Sequence, residues 1–497
     1  MKWGRQESQF SHWTIALSEH RYELLLGVVF LGHLILANFL PPAEDELYYW
    51  TWSQDLAWSY FDHPPMTAWW IWFSTLFFGN SLLAIRLPAI LVHLFVLYQL
   101  GQLSETKSIV TLLLFTPLSL FGAIFMTPDI PLVFFWILYL NWASGINLDF
   151  SNWSDDPVSR VYHQRPVPFT NWILGGIWLG LGLLSKYTMA LAPICLFFLL
   201  LTKYRIRAWS QGFFVHLLVS AVLFLPVLYF NVNHDFYPFL FQWNHIKNPV
   251  PLKFVYTFLG SQIALVGALP FLLLPWLALN YRSLGRLPAF RSLFFFFSIP
   301  MAFFVFKSTH HFLEANWAIV TYMSFWPMSS YFIRHNTFRA LVRATLGISF
   351  SVPLVISGLL LIHLVHPLRF IGVSQDRLAR FRGQNEMVKT LSETHSEQKK
   401  LPVFLPTYQW VSYFRYHGFP MAEQLPDLSR PSQFTLTRSD PCLHDPVLFF
   451  NRTGEAVPPA FKCFTKKSIV TEVPLLVRNE TLSTWELIHF SKTEATK

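Results

Sequence analysis

Three consecutive carboxylates, Glu44, Asp45 and Glu46, head a run of Tyr and Trp that closes on Asp62-His63-Pro64-Pro65. Further on, isolated charges interrupt apolar sequence: Arg86, Asp129, Lys186 and Lys307, the last followed by His310, Glu314 and Asn316. A carboxylate within hydrogen-bond reach of a hydroxyl can take its proton. A lysine or arginine can neutralise a phosphate as it leaves. Rings such as Tyr48 and Tyr49 can stack on a sugar or line a lipid groove. Together these groups suit transfer from an anionic lipid phosphate to an acceptor hydroxyl. Taken singly, each charge is equally well explained as half of a structural ion pair. The functional reading therefore depends on whether the surrounding elements bring them to one face.

Those elements are membrane helices. The chain has 497 residues, 53% of them hydrophobic and 13% charged, and a mean hydropathy of +0.37. A soluble chain carries roughly 25% charged residues. Apolar runs at 22–40, 81–101, 108–126, 130–147, 171–185, 188–202, 211–230, 256–279, 292–306, 316–333 and 344–364 predict eleven spans. The first is expected to be a retained span and not a cleaved signal. Residues 171–201 are too long for one span of about 20 residues, and are expected to split at Lys186. With that split, Lys2, Arg5, Arg21, Lys107, Arg160, Arg165, Lys203, Arg205 and Arg207 share one side with the later Arg282–Arg291 and Arg334–Arg343 groups. The positive-inside rule then puts the N-terminus in the cytoplasm and the C-terminus outside. The net charge of +9 is thereby read as topology, not as a nucleic-acid footprint. On the outer side remain few cations: Lys186, Lys247, Lys253 and Lys307.

Two domains are expected: a transmembrane domain over 1–366 and a small extracytoplasmic α+β domain over 367–497. The external loop 41–80 carries the acids, and its Trp-rich stretch 66–79 is too short to span, so it reads as re-entrant or interfacial. Beyond 367 the apolar periodicity breaks, with strand-like runs at 401–405, 447–450 and 475–477 and a helix at 409–416. Cys195 lies in an apolar run and is expected to be packing. Cys442 and Cys463 both fall outside, where a disulfide is possible. Of the three Asn-X-Ser/Thr patterns, the one at Asn152 falls on the inner side.

The order of these residues resembles a known family. Asp45-Glu46, Tyr48-Tyr49-Trp50 and Tyr60-Phe61-Asp62-His63-Pro64-Pro65 resemble the first external loop of bacterial membrane glycosyltransferases of the family 39/83 type. These belong to the GT-C class, with protein O-mannosyltransferases and the lipid A aminoarabinose transferase. The resemblance continues through Arg86-Leu87-Pro88, Pro128-Asp129, Gly182 to Tyr187 and Glu314-Ala315-Asn316-Trp317. It is weaker at Tyr408-Gln409 and Arg430 to Phe434. It implies sugar transfer, with inversion, from a polyprenyl phosphate to a lipid, glycan or protein acceptor at the outer face of the bacterial inner membrane.

By that resemblance Asp45 is the catalytic acid, with Glu46 beside it and Asp129 at a second acidic position. Lys186 sits beside the carrier phosphate, and Arg86 and Lys307 are expected as further phosphate ligands. The alternative for Lys186 is a structural pair with Asp129 or an acid of the first loop. Tyr48, Tyr49, Asp62, His63, His310, Glu314 and Asn316 are the expected substrate contacts. His310-His311 and Glu314 have helical metal-ligand spacing, but contact with the headgroup is preferred, so no metal or cofactor is invoked. The rival function is a transporter or flippase, which would place its ionisable residues near the bilayer midplane.

Overall fold

The computed structural model describes residues 21–151, 167–202, 204, 206–244, 253–268, 271–273, 281–335, 339–436 and 439–492. The cations Lys2, Arg5, Arg160, Arg165, Lys203, Arg205 and Lys247, and the pattern at Asn152, lie outside these residues. The described chain begins with helices α1 (Arg21–Phe39), α2 (Glu44–Ser53), α3 (Met66–Phe78), α4 (Leu82–Leu103), α5 (Ser108–Leu113) and α6 (Asp129–Ser151). Then follow α7 (Phe169–Leu183), α8 (Leu191–Leu201), α9 (Ile206–Val232), α10 (Tyr237–Asn244) and α11 (Lys253–Val266). The bundle ends with α12 (Pro288–Ser308), α13 (Ile319–His335) and α14 (Arg339–Val365).

Among the described residues, six helices are long and apolar enough to cross a bilayer, and three further apolar helices are shorter. The run 108–126, expected as one span, is helical in two pieces, α5 and a π-helical turn over Leu118–Gly122. Pro117 precedes that turn and offers no N–H to an α-helical ladder. The break at Lys186 is present. The Ser185 and Lys186 N–H groups both donate to the Gly182 carbonyl, at 3.0 and 3.1 Å, and Lys186 itself is extended. Helix α7 packs tightly on α9. A Cβ at Gly176 would lie 2.6 Å from the His216 carbonyl oxygen, and one at Gly180 would lie 2.7 Å from Leu223. Only small residues permit so close an approach.

The loop after α1 is fixed from within the bundle. Arg86, on α4, is fully buried and spends all five of its N–H groups there. Its Nε and Nη2 reach the two Glu46 oxygens at 2.9 and 2.8 Å, while the Ala37, Leu40 and Pro41 carbonyls take the other three bonds. Both side chains have no exposure. Removing one partner of such a pair strands a buried charge, at roughly 3–5 kcal/mol. Arg86→Ala is therefore expected to lower the unfolding temperature sharply in detergent; an unchanged melting curve would refute this anchoring role.

After α14 come α15 (Arg377–Thr394) and α16 (Tyr408–Tyr416), with strands β1 (Val403–Leu405), β2 (Ala422–Gln424), β3 (Val447–Arg452), β4 (Lys466–Val477) and β5 (Glu480–Ser491). The sheet order is β2-β1-β3-β5-β4. β1 runs parallel to β2 and β3, and β5 is antiparallel to both β3 and β4. The β4–β5 turn holds Arg478 and Asn479 at φ of 52° and 64°, the twist a two-residue hairpin needs. Cys442 and Cys463 are disulfide-bonded, and Cys195 is free and buried. Leu47 of α2 packs into the same core as Trp410, Val411 and Phe414 of α16. The sheet region is thus joined to the acidic loop.

Candidate active site

Successive residues on an α-helix point about 100° apart, so the three acids at the start of α2 face three directions. Glu46 turns inward to Arg86. Glu44 faces α15; burial raises its carboxyl above the usual range, while Gln384 and Arg380 oppose the shift. Asp45 alone is exposed. Its Oδ1 accepts a hydrogen bond from the Tyr408 hydroxyl at 2.9 Å.

The same helix turns Tyr48 and Tyr49 toward the rest of the loop. Tyr48 donates to Asp62 Oδ2 at 2.8 Å, and Arg430 Nη1 donates to Asp62 Oδ1, also at 2.8 Å. Burial raises the Asp62 carboxyl above its usual range, opposed by the Arg430 charge and the Tyr48 bond. The Gln433 backbone N–H donates to the Tyr48 hydroxyl at 2.7 Å, and its side-chain oxygen accepts from the Phe61 N–H at 2.8 Å. Tyr49 is buried, and its phenol is held well above the ordinary range by burial first and then by Asp45, Asp62, Tyr408 and Asp129. The charges of three carboxylates therefore act on one phenol.

Next to this loop lies a cavity of about 810 Å³ whose lining includes His63, Lys186, Phe239, Phe304, Lys307 and Trp317. Its charged groups are mutually arranged. Lys186 Nζ donates to Asp129 Oδ1 at 2.7 Å, and Asn316 Nδ2 donates to Asp129 Oδ2 at 2.6 Å. Trp317 lies between the two lysines, 5.7 Å from Lys186 Nζ and 4.6 Å from Lys307 Nζ. Lys307 makes no ion pair among the described residues. His63 is pushed well below the ordinary histidine range by burial, then by Lys186 and Arg430. Its imidazole is neutral at pH 7. The lining supplies cations at one part and aromatic and aliphatic walls elsewhere, which is the chemistry of an anionic head on an apolar tail.

Two expectations change. Arg86, expected at the donor phosphate, has no N–H left to give one. Glu46, expected beside Asp45 as a reacting acid, is its buried counter-ion. Asp129 has both oxygens engaged, the position of a group that orients Lys186 more than of a free base. Tyr48, Tyr49, Asp62, His63, Lys307 and Asn316 all lie around the acids or the cavity. His310 is half-buried, with Nδ1 against the Thr309 hydroxyl at 2.8 Å. Glu314 is exposed and pairs with no cation among the described residues. No three His, Cys, Asp or Glu side chains among the described residues group as a metal site. The partners not anticipated as site groups are Trp317, Tyr408, Arg430 and Gln433. Their only sequence signal was the motif order around them.

Comparison with known proteins bears on the whole arrangement. Residues 62–155 and 160–230 match the family model described as dolichyl-phosphate-mannose-protein mannosyltransferase. Lipid A galacturonosyltransferase RgtD of Rhizobium johnstonii is 26% identical over 319 residues, 61% of this chain and 63% of that protein. The match thus spans less than two thirds of that relative. The crystal structure of ArnT from Cupriavidus metallidurans bound to undecaprenyl phosphate superposes with a TM-score of 0.61 at 14% identity, over 95% of this chain and 98% of that one. Its apo state gives the same TM-score at 13% identity. The chain thus matches that family model over 62–155 and 160–230 and shares its overall fold with ArnT.

Proposed function

We propose that the chain transfers a sugar from a polyprenyl-phosphate donor to a hydroxyl of a lipid A-type acceptor. The observation that carries this reading is the cavity with Lys186 and Lys307 at one part and apolar walls elsewhere, beside a loop on which Asp45 is the exposed acid. The apolar walls take the isoprenoid tail, and the lysines face the phosphate. Asp45 accepts the proton of the acceptor hydroxyl as that oxygen bonds to the anomeric carbon. The bond from that carbon to the phosphate oxygen breaks, and its electron pair leaves with the phosphate, whose new charge the lysines meet. A single displacement inverts the anomeric centre. Asp129 and Asn316 keep Lys186 aimed, and neutral His63 offers a hydrogen bond without adding charge.

The acceptor class rests on the lipid A-acting relative and the donor class on the ArnT complex with undecaprenyl phosphate. Neither the family domain nor the fold favours the transporter reading. Mass profiles of lipid A and of glycoproteins with and without the gene test the acceptor. A sugar-sized mass missing from lipid A is expected; a loss confined to glycoproteins would redirect the acceptor to protein.

The proposed setting is the bacterial inner membrane, with eleven spans over 1–366, the loop 41–80 and the region 367–497 outside, and the N-terminus inside. The cation bias of the loops supports it. A phosphatase fusion after Leu364 should be active and a green fluorescent protein fusion there dark; the opposite pair of signals would overturn the topology.

A further inference from the structure

Two contacts tie the sheet region to the acidic loop through a single side chain, and a third holds that side chain from within the sheet region. Tyr408, the first residue of α16, donates its hydroxyl to Asp45 Oδ1 at 2.9 Å. Its ring packs on Tyr48 at 4.6 Å between centroids, and the Arg430 guanidinium lies 4.3 Å above its face. Arg430 in turn is fixed by Asp62 at 2.8 Å, which Tyr48 also holds. Tyr408 is buried although Asp45 is exposed. The exposed carboxylate is therefore gripped from its buried side by a ring that cannot turn away.

We propose that Tyr408 is a positioning residue for sugar transfer: its hydroxyl holds one Asp45 oxygen so that the other faces the acceptor. This rests on Asp45 being the base. A short exposed side chain otherwise samples several rotamers, and only some aim an oxygen at the acceptor. A fixed one keeps the reacting atoms aligned, which is where positioning residues exert their effect on rate. The sheet region thus completes the site. Separation of 363 residues along the chain is what makes the contact invisible in the sequence.

Tyr408→Phe removes only the oxygen and leaves the ring between Tyr48 and Arg430. The test measures kcat, donor KM and unfolding temperature for Tyr408→Phe, Asp45→Asn and the double variant, in detergent-purified full-length protein. For Tyr408→Phe the expected result is a kcat lower by about tenfold, the scale of one hydrogen bond to a charged group, with donor KM and unfolding temperature unchanged. The double variant should be no slower than Asp45→Asn alone, because the hydroxyl acts only through the carboxylate. A Tyr408→Phe enzyme at wild-type rate, beside an inactive Asp45→Asn, overturns the positioning role and leaves the proposed function standing. An equal loss in the presence and absence of the Asp45 carboxylate overturns it too, since Tyr408 would then act elsewhere. If Asp45→Asn keeps its rate, the base assignment fails and the positioning role fails with it.

Discussion

Asp45→Asn is expected to lower the rate of sugar transfer by roughly 10²–10⁴-fold, the usual cost of losing a general base, with expression and unfolding temperature unchanged. Both parts follow from its position. Asparagine is close in shape, and its oxygen can still accept from Tyr408 in place of the carboxylate bonded now at 2.9 Å. No cation pairs with Asp45 among the described residues, so no buried charge is stranded. What is lost is the capacity to take a proton. Glu46→Gln gives the contrasting control. It leaves the buried Arg86, 2.8 Å from the carboxylate, without its counter-ion, so it should lose stability before rate. A near-normal turnover in folded Asp45→Asn would contradict the assignment.

The second large effect belongs to Lys186. Lys186→Ala removes a cation from the donor cavity and also exposes Asp129, now paired with it at 2.7 Å, as an uncompensated carboxylate facing the donor phosphate. Loss of attraction and new repulsion act in the same direction. Donor affinity should fall by about 100-fold or more, on the scale of breaking a buried pair from one side. Asp129→Asn in the same chain should recover part of that loss by removing the repulsion. Lys186→Arg should keep part of the affinity, since charge survives while geometry changes. The competing account is a purely structural pair. It predicts a less stable Lys186→Ala variant whose folded molecules bind donor normally, so unchanged donor affinity in a stable variant would remove Lys186 from the phosphate site.

Much of this was legible in the sequence because membrane helices advertise themselves. Apolar runs, a break at Lys186 and a loop crowded with acids and aromatic rings need no partner to be seen. The roles of individual charges did need partners. Glu44, Asp45 and Glu46 look alike in the sequence, yet helical geometry sends one to α15, one to solvent and one to Arg86. Arg86 resembles a phosphate ligand until the Ala37, Leu40 and Pro41 carbonyls and Glu46 are seen to take all its donors. Tyr408 and Arg430 reach the loop only through tertiary packing. In the C-terminal region, short buried strands such as β1 and β3 stand out as apolar runs. Of the long hairpin β4–β5 only the apolar end at 475–477 does, because most of β4 is exposed and carries Lys, Ser, Thr and Glu. Helix α15 was missed for a similar reason: it is polar along most of its length, with a narrow buried stripe through Met387, Val388 and Leu391.

The central claim is that this chain moves a sugar from a lipid phosphate to an acceptor hydroxyl at the Asp45 loop. Purified protein supplied with a polyprenyl-phosphate sugar labelled in the sugar, together with lipid A, tests it directly. The predicted result is labelled lipid A and free polyprenyl phosphate formed one for one, both abolished by Asp45→Asn. Donor that binds yet is never consumed, or label that reaches lipid A equally well in the Asp45→Asn protein, would contradict it.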